Sequence, residues 1–224
     1  LLWAFLAGGF ADAVRRGAID NYALFLVPGV ATMIVTFGAI FGAISLIQDR
    51  HDGFLQSALI SPAPRWSIVG AKVLAVATLA TAQAGLILMA APLLGAHPGA
   101  LGWFGAIGGC LLGSLGVGGV SLALAWRIDS TEGFHGVMNL VLMPMWLLSG
   151  AFFPADTAHP VLSKAMAVNP LRWVTDVIRG SLMNESVPAG VWAGAIGFAV
   201  AGCAAAWSSM APRHRRSIQR HAHA

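Results

Sequence analysis

Charged side chains are scarce in this sequence, since only 10% of its 224 residues are Asp, Glu, Lys or Arg. An ordinary soluble domain has about 25%. Apolar residues make up 57% of the chain, and the few charges are too sparse to cover the surface of a soluble protein of this size. The composition therefore excludes a soluble enzyme and a nucleic-acid-binding module, and its hydrophobicity excludes a disordered segment. It indicates an integral membrane protein.

Recognisable sites for chemistry are also missing. The only cysteines, Cys110 and Cys203, lie within apolar runs and provide neither a disulfide framework nor metal-ligand spacing. The P-loop pattern GxxxxGK[ST] does not occur, so the chain is not expected to bind ATP itself. The apolar runs contain almost no ionisable residues, which disfavours a carrier driven by protons or sodium. We therefore predict no catalytic residue, no bound cofactor and no metal site.

Long apolar runs are what the sequence does contain. Five of them exceed the ~18 residues that a helix needs to cross a bilayer, and a shorter run at the start is interpreted as the end of a first span or, alternatively, as an interfacial helix. The period-2 alternation of a membrane barrel is absent. The predicted fold is an all-α membrane protein, a polytopic bundle of six transmembrane helices with the first one truncated. The predicted spans are 1–11 (partial), 23–47, 68–94, 102–126, 134–153 and 188–211.

The distribution of Arg and Lys between the loops predicts the orientation. Cytoplasmic loops collect basic residues, and the tail 212–224 carries four arginines. With the tail inside, the transmembrane domain 1–211 has a cytoplasmic loop at 48–67 and its longest outer segment at 154–187. That outer segment contains two short amphipathic patterns split by Asn169 and Pro170, which predicts an external helical hairpin before the last span.

The cytoplasmic loop QDRHDGFLQSALISPAPRWS, residues 48–67, is the most polar connection between spans. Its middle places apolar residues at helical spacing, and prolines end the pattern before the next span begins. A short amphipathic helix of this kind can fit a groove on a cytoplasmic partner. The alternative interpretation is a solvated connector without a function of its own.

Glycines at a spacing of four occur in the fourth predicted span. Gly105, Gly109 and Gly113 form a small-xxx-small pattern, which allows neighbouring membrane helices to approach closely. We therefore predict that these three residues lie at a helix-packing contact.

Three stretches of the sequence resemble the permease subunits of type-2 ABC exporters. The stretch DRHDGFLQSALISPAPRWSIVGAK, residues 49–72, is similar to the cytoplasmic loop of that family. IDSTEGFHGVMNLVLMPMWLLSGAFFP, residues 128–154, is similar to its fifth span and the exit from it. NPLRWVTDVIRG, residues 169–180, resembles the outer hairpin before the last span. The family often has glutamate where this chain has His51, and its N-terminal amphipathic helix is absent here, so the sequence is interpreted as a fragment.

The resemblance implies six spans with both termini inside, in a multi-pass protein of the bacterial inner membrane. It also implies a homodimer or heterodimer of permeases that binds two copies of an ABC ATPase subunit, with ATP held by that partner. The residues that the resemblance assigns to ATPase coupling lie in the cytoplasmic loop; together with the neighbouring Asp52 they are Asp49, Arg50, Asp52, Gly53, Phe54, Leu55, Pro62 and Arg65.

The function predicted from the sequence is that of a membrane-spanning permease subunit of an ATP-driven exporter. Apolar spans without charges favour a hydrophobic or amphipathic substrate of the drug, lipid or glycan class. Surrounding membrane lipid is an expected partner, and nucleic acid is not. Two alternatives are an ion-coupled secondary carrier and a membrane assembly factor that transports nothing.

Overall fold

The computed structural model describes residues 21–53, 64–154 and 159–210 of the chain. Over these residues the protein is helical and contains no strand. The predicted partial span 1–11 and the basic tail 212–224 lie outside the described residues. The helices are α1 (Tyr22–His51), α2 (Arg65–Leu88), α3 (Ala100–Ala125), α4 (Thr131–Leu147), α5 (Pro160–Ala167), α6 (Pro170–Leu182) and α7 (Ala189–Met210), with a 3₁₀ turn at Pro92–Leu94.

Four of the described helical segments are long and apolar enough to cross a membrane. They are Tyr22–His51, Ser67–Leu94, Ala100–Ala125 and Ala189–Ser209, and they coincide with the spans predicted at 23–47, 68–94, 102–126 and 188–211. The all-α membrane fold predicted from the sequence is confirmed to this extent.

The fifth predicted span, 134–153, is a shorter helix than the apolar pattern indicated. Helix α4 begins at Thr131, where the Ser130 hydroxyl accepts a hydrogen bond from the Gly133 N–H at 3.0 Å. It ends at Leu147 after 17 residues, a length of about 26 Å against a hydrocarbon core of about 30 Å. The backbone then turns through Gly150, whose φ of 79° favours glycine. Apolar composition alone does not mark this turn, because the residues that form it are buried.

Helix α3 is the centre of the bundle and packs against α1, α2, α6 and α7. Its glycines make this position possible. A Cβ atom at Gly119 would overlap the backbone of Gly202 in α7, so these two helices cross with their backbones in direct contact. On another side of α3, Gly118 lies against Val76 of α2.

Helix α6 is the most amphipathic of the described helices, and it lies inside the bundle. Its N-cap is Asn169, whose side chain accepts a hydrogen bond from the Leu171 N–H at 3.0 Å, and Pro170 occupies its first position. The apolar face of α6 packs along the N-terminal half of α3 and also contacts α1 and α7. Helix α5, by contrast, buries only Leu162 and Met166. Of the two helices predicted in the hairpin, α6 is therefore the one that enters the helix bundle.

Candidate functional site

The C-terminal end of α1 is joined to the end of α3 by Arg50. Its guanidinium donates to the Asp129 carboxylate at 2.7 Å and to the carbonyl oxygens of Ala125 and Trp126 at 3.0 and 2.8 Å. It also lies 5.4 Å from the centre of the Trp126 ring. A cation that donates to the last carbonyl groups of a helix satisfies acceptors that have no partner within the helix. Arg50 thus caps α3 from the neighbouring helix.

Two further contacts complete a group of residues that we call the cytoplasmic junction, after the orientation predicted from the sequence: Asp49, Arg50, His51, Lys72 and Asp129. The Lys72 ammonium group donates to the Asp49 carboxylate, joining α1 to α2. A ring nitrogen of His51 lies 2.8 Å from the carbonyl oxygen of Asp129. The junction therefore connects both helices that flank the cytoplasmic loop to the segment between α3 and α4.

The structure gives the predicted coupling residues different surroundings. Asp49 and Arg50 make contacts within the chain, whereas Asp52 is exposed and caps the C-terminus of α1. Gly53 follows with a φ of 76°, a conformation that favours glycine. Phe54, Leu55 and Pro62 lie outside the described residues, and Arg65 is described only as the first residue of α2.

Sequence reasoning missed Lys72 and Asp129 as partners of the loop. The charges were visible in the sequence, because residues 48–67 and 127–133 each carry acidic and basic side chains. Pattern alone could not choose which acidic and basic residues meet. Only the packing of α1 against α2 and α3 decides that.

Gly105, Gly109 and Gly113 face the apolar side of α6. A Cβ atom at Gly105 would overlap the Ser181 hydroxyl, and one at Gly109 would lie 2.9 Å from side-chain carbons of Val177 and Ile178. At Gly113 it would lie 2.7 Å from Val174. These distances are too short for carbon atoms, so α6 occupies the space that side chains would take. The glycines approach this short helix rather than another full span.

The opposite side of α6 carries three charged residues, Arg172, Asp176 and Arg179, which we call the charged ladder. Arg172 Nε lies 3.3 Å from one Asp176 carboxylate oxygen, and Arg179 Nη1 lies 3.7 Å from the other. Arg179 also donates to the Gly150 carbonyl oxygen at 2.7 Å, and its guanidinium lies 4.1 Å from the centre of the Phe25 ring. Its Nε is buried without a hydrogen-bond partner.

The ladder is a feature that the sequence argument passed over. It lies in the predicted outer hairpin, where charges are ordinary, and its spacing of four and three residues is that of a solvated helix face. In the structure the ladder faces away from α3, and its Arg179 lies against Phe25 of α1, a helix of membrane-spanning length. Charged groups at such a position are costly unless they are paired. Arg179 joins α6 to α1 and to the turn after α4.

Hydrogen bonds also join α1, α4 and α6 near the charged ladder. The hydroxyl groups of Thr32 and Thr175 lie 3.0 Å apart, joining α1 to α6. The Trp146 indole donates to the Gly29 carbonyl oxygen at 3.0 Å, joining α4 to α1. Asn169 donates to the Met145 carbonyl oxygen at 2.5 Å, joining the start of α6 to α4. Direct contacts therefore join α4 to α6 and both to α1.

No cluster of three or more His, Cys, Asp or Glu side chains that could hold a metal occurs within the described ranges. The arrangement of charges is instead one of links between helices, at the cytoplasmic junction on one side and at the ladder on the other. Such links suit a protein that moves its helices.

Comparison with known proteins identifies the family. The model of the ABC-2 type transporter domain matches residues 1–183. This chain belongs to the ABC-2 type transporter family. As a member, it is a multi-pass membrane protein of the transport permease type, and it is similar to several curated ABC-2 permeases.

Two relatives illustrate the similarity. The chain is 28% identical over 179 residues to the "Probable multidrug ABC transporter permease YbhR" of Escherichia coli (strain K12), covering 77% of this chain and 47% of the relative. It is 30% identical over 186 residues to the "Putative transport permease ycf38" of Porphyra purpurea, covering 80% of this chain and 63% of that protein. The chain therefore spans about half to two thirds of the length of these relatives.

Proposed function

We propose that this ABC-2 permease is the membrane-spanning subunit of an ATP-driven exporter in a bacterial inner membrane. The observation that carries the proposal is the cytoplasmic junction, in a chain whose family is that of ABC transporter permeases. Asp49 and Lys72 join the two helices that flank the loop between α1 and α2, and Arg50 joins α1 to the segment between α3 and α4. A force applied to that loop from the cytoplasm would therefore reach the spans.

The proposed partner is an ABC ATPase in two copies, bound to a dimer of permeases. ATP would be held by these partner subunits, since the permease sequence has no P-loop. Closure of the two ATPase subunits around ATP would displace the coupling region 48–67 of each permease. The permease itself would hold no cofactor and would catalyse no bond-breaking step.

The displacement would reach the outer side of the bundle through a chain of contacts. Arg50 connects the end of α1 to Asp129, which lies directly before α4. Asn169 and Arg179 connect the other end of α4 and the turn after it to α6. Tilting of α4 would move α6 as a rigid body and switch access between the two sides of the membrane.

The proposed substrate is hydrophobic or amphipathic, of the drug, lipid or glycan class. The four described spanning segments hold at most two charged residues in their most apolar windows, which disfavours a small ion as cargo. The charged ladder is the main group of charges beside these spans, and it would suit a substrate with a polar end.

The deciding experiment is purification of the full-length permease from its native membrane in mild detergent, followed by reconstitution with what co-purifies. We expect a P-loop ATPase in equal amount and export that depends on ATP hydrolysis. Export that continues after the ATPase is removed would indicate an ion-coupled carrier. A complex that assembles but moves none of a panel of labelled lipids and amphipathic dyes would indicate an assembly factor.

A further inference from the structure

A cavity of about 260 Å³ lies where the first turn of α3 meets the end of α6 and the first turn of α7. Gly102 and Gly105 contribute only backbone to its wall, because a Cβ atom at either position would overlap Ser181. Ser181 lines the same space from α6. Ser181 is nine residues from Arg172, about half a rotation around the helix, so the cavity and the charged ladder lie on opposite sides of α6.

Three side chains give the cavity its chemical character. Glu185 is the only ionisable residue among those that line it, and Trp192 adds an aromatic ring. The Ser181 hydroxyl lies against Gly105 and makes no hydrogen bond to another described side chain or carbonyl group. The Glu185 carboxylate likewise has no ion-pair partner among the described residues. Arg179, whose charge interacts with that of Glu185, is instead directed to Asp176, Gly150 and Phe25.

We propose that this cavity binds an organic cation, an ammonium group attached to an apolar body. A carboxylate attracts the ammonium charge, and an indole ring stabilises the same cation through its π-face. The Ser181 hydroxyl accepts a hydrogen bond where the ammonium carries N–H groups. An anion would face Glu185 and find no free donor with a positive charge among the lining residues.

The size and position of the cavity favour a small cationic group. Ligand sites for whole drug-sized molecules measure about 300–1,000 Å³, so this cavity suits a headgroup with part of its apolar attachment. It opens beside the ends of α3 and α7, which lie at the outer membrane surface in the predicted orientation. The same chemistry is offered there by a free ammonium compound in solution and by the headgroup of an ammonium lipid.

The test is a binding measurement on the full-length protein with tritiated benzyltrimethylammonium as the probe. Choline and 3,3-dimethylbutan-1-ol are the competitors, since they share a shape and differ in charge. We expect choline to displace the probe at a concentration at least tenfold lower than the alcohol does. Glu185→Gln and Trp192→Leu should each weaken probe binding about tenfold, while Glu132→Gln, a charge loss at an exposed position of α4, should leave it unchanged.

Equal displacement by choline and by the alcohol would overturn the proposal, as would unchanged binding in Glu185→Gln. Thermal unfolding of each variant shows whether it is folded, and Glu185 is exposed, so its isosteric amide is expected to fold normally. Loss of binding in the Glu132→Gln control by the same factor would also contradict a site at this cavity.

Varying the lipid around the protein distinguishes the two sources of the cation. In nanodiscs of phosphatidylglycerol, the probe meets a site with no competing ammonium lipid. If adding phosphatidylethanolamine raises the apparent Kd of the wild type, the lipid headgroup is the occupant; if it does not, a free cation is. The measurement needs neither ATPase nor ATP, so its failure would leave the exporter proposal intact, and an absent ATPase would leave the binding result intact.

Discussion

The guanidinium of Arg50 lies 2.7 Å from the carboxylate of Asp129, although the two residues are separated by α2 and α3 in the sequence. Asp129 is 89% exposed and Arg50 is 27% exposed, so the ion pair itself is weak in water. The hydrogen bonds from Arg50 to the carbonyl groups at the end of α3 are less exposed to water. The contact between Arg50 and Asp129 therefore sets the relative position of their two segments and contributes little binding energy.

The two partners should therefore differ when each is removed. Arg50→Ala leaves two carbonyl oxygens of α3 without their donor and should lower the free energy of unfolding by about 1–2 kcal/mol. Asp129→Asn keeps those bonds and should cost about 1 kcal/mol or less. Thermal unfolding in detergent measures both. Equal costs would show that the ion pair, and not the cap, is the important contact.

Measurements of export test whether Arg50 and Asp129 act as a pair. Because Asp129 precedes α4 directly, Asp129→Asn is expected to reduce ATP-dependent export at least fivefold while the ATPase still co-purifies. Combined with Arg50→Ala, Asp129→Asn should reduce export little beyond the larger single effect, because both changes remove the same contact. If the two reductions multiply in the double variant, Arg50 and Asp129 do not act as a pair.

The contact between α3 and α6 gives a prediction with a neighbouring control. A Cβ atom at Gly109 would lie 2.9 Å from carbons of Val177 and Ile178, whereas one at Gly108 would have nothing within 4 Å. Gly109→Ala should therefore destabilise the protein by about 1–3 kcal/mol. Gly108→Ala should be neutral or stabilising, since alanine favours a helix. Unfolding of both variants by heat or detergent titration compares them directly, and a similar response would place α6 elsewhere.

Most of the helical architecture could be predicted from the sequence because membrane spans are recognisable from their length and apolar composition. Runs such as 102–126 have few polar residues to confuse the pattern, and their helices begin and end within a few residues of the prediction. The end of α4 could not be predicted in this way. Hydropathy continues through Phe153, while Gly150 and the hydrogen bond from Ser149 to the Trp146 carbonyl turn the backbone earlier.

The candidate site was less predictable because its partners come from separate segments. Asp49 and Arg50 were singled out from the loop, but nothing in their spacing identifies Lys72 and Asp129 as their partners. The sequence of α6 shows one apolar face and one charged face, which is equally typical of a helix on the membrane surface. Its position inside the bundle depends on glycines more than 60 residues away in α3.

The charged ladder should contribute to stability mainly through Arg179. That side chain has its Nε buried, donates to the Gly150 carbonyl and stacks on Phe25. Arg179→Met removes these contacts and leaves Asp176 with a single partner, which should cost about 2 kcal/mol or more. Arg172→Met removes one contact of 3.3 Å from a more exposed side chain and should cost about 1 kcal/mol or less. Comparable losses in thermal unfolding would contradict the central place of Arg179.

The side chain of Asn169 makes two separate hydrogen bonds, and its variants test whether movement of α4 displaces α6. Its side-chain oxygen Oδ1 caps α6 by accepting from the Leu171 N–H, while its side-chain nitrogen Nδ2 donates to the Met145 carbonyl oxygen of α4. Asn169→Ser keeps an acceptor for the cap but is too short to donate to Met145, and it introduces no charge at this buried position. Asn169→Ala loses both hydrogen bonds.

If the link from α4 to α6 transmits movement, Asn169→Ser should reduce export severalfold with at most a modest loss of stability, and Asn169→Ala should lose about 1 kcal/mol more stability. The measurements are thermal unfolding and ATP-dependent export by the reconstituted complex, with ATPase co-purification as a check on assembly. Normal export by Asn169→Ser would mean that the bond to Met145 only holds the helices in place. Movement would then have to reach α6 through Arg179 and the turn at Gly150.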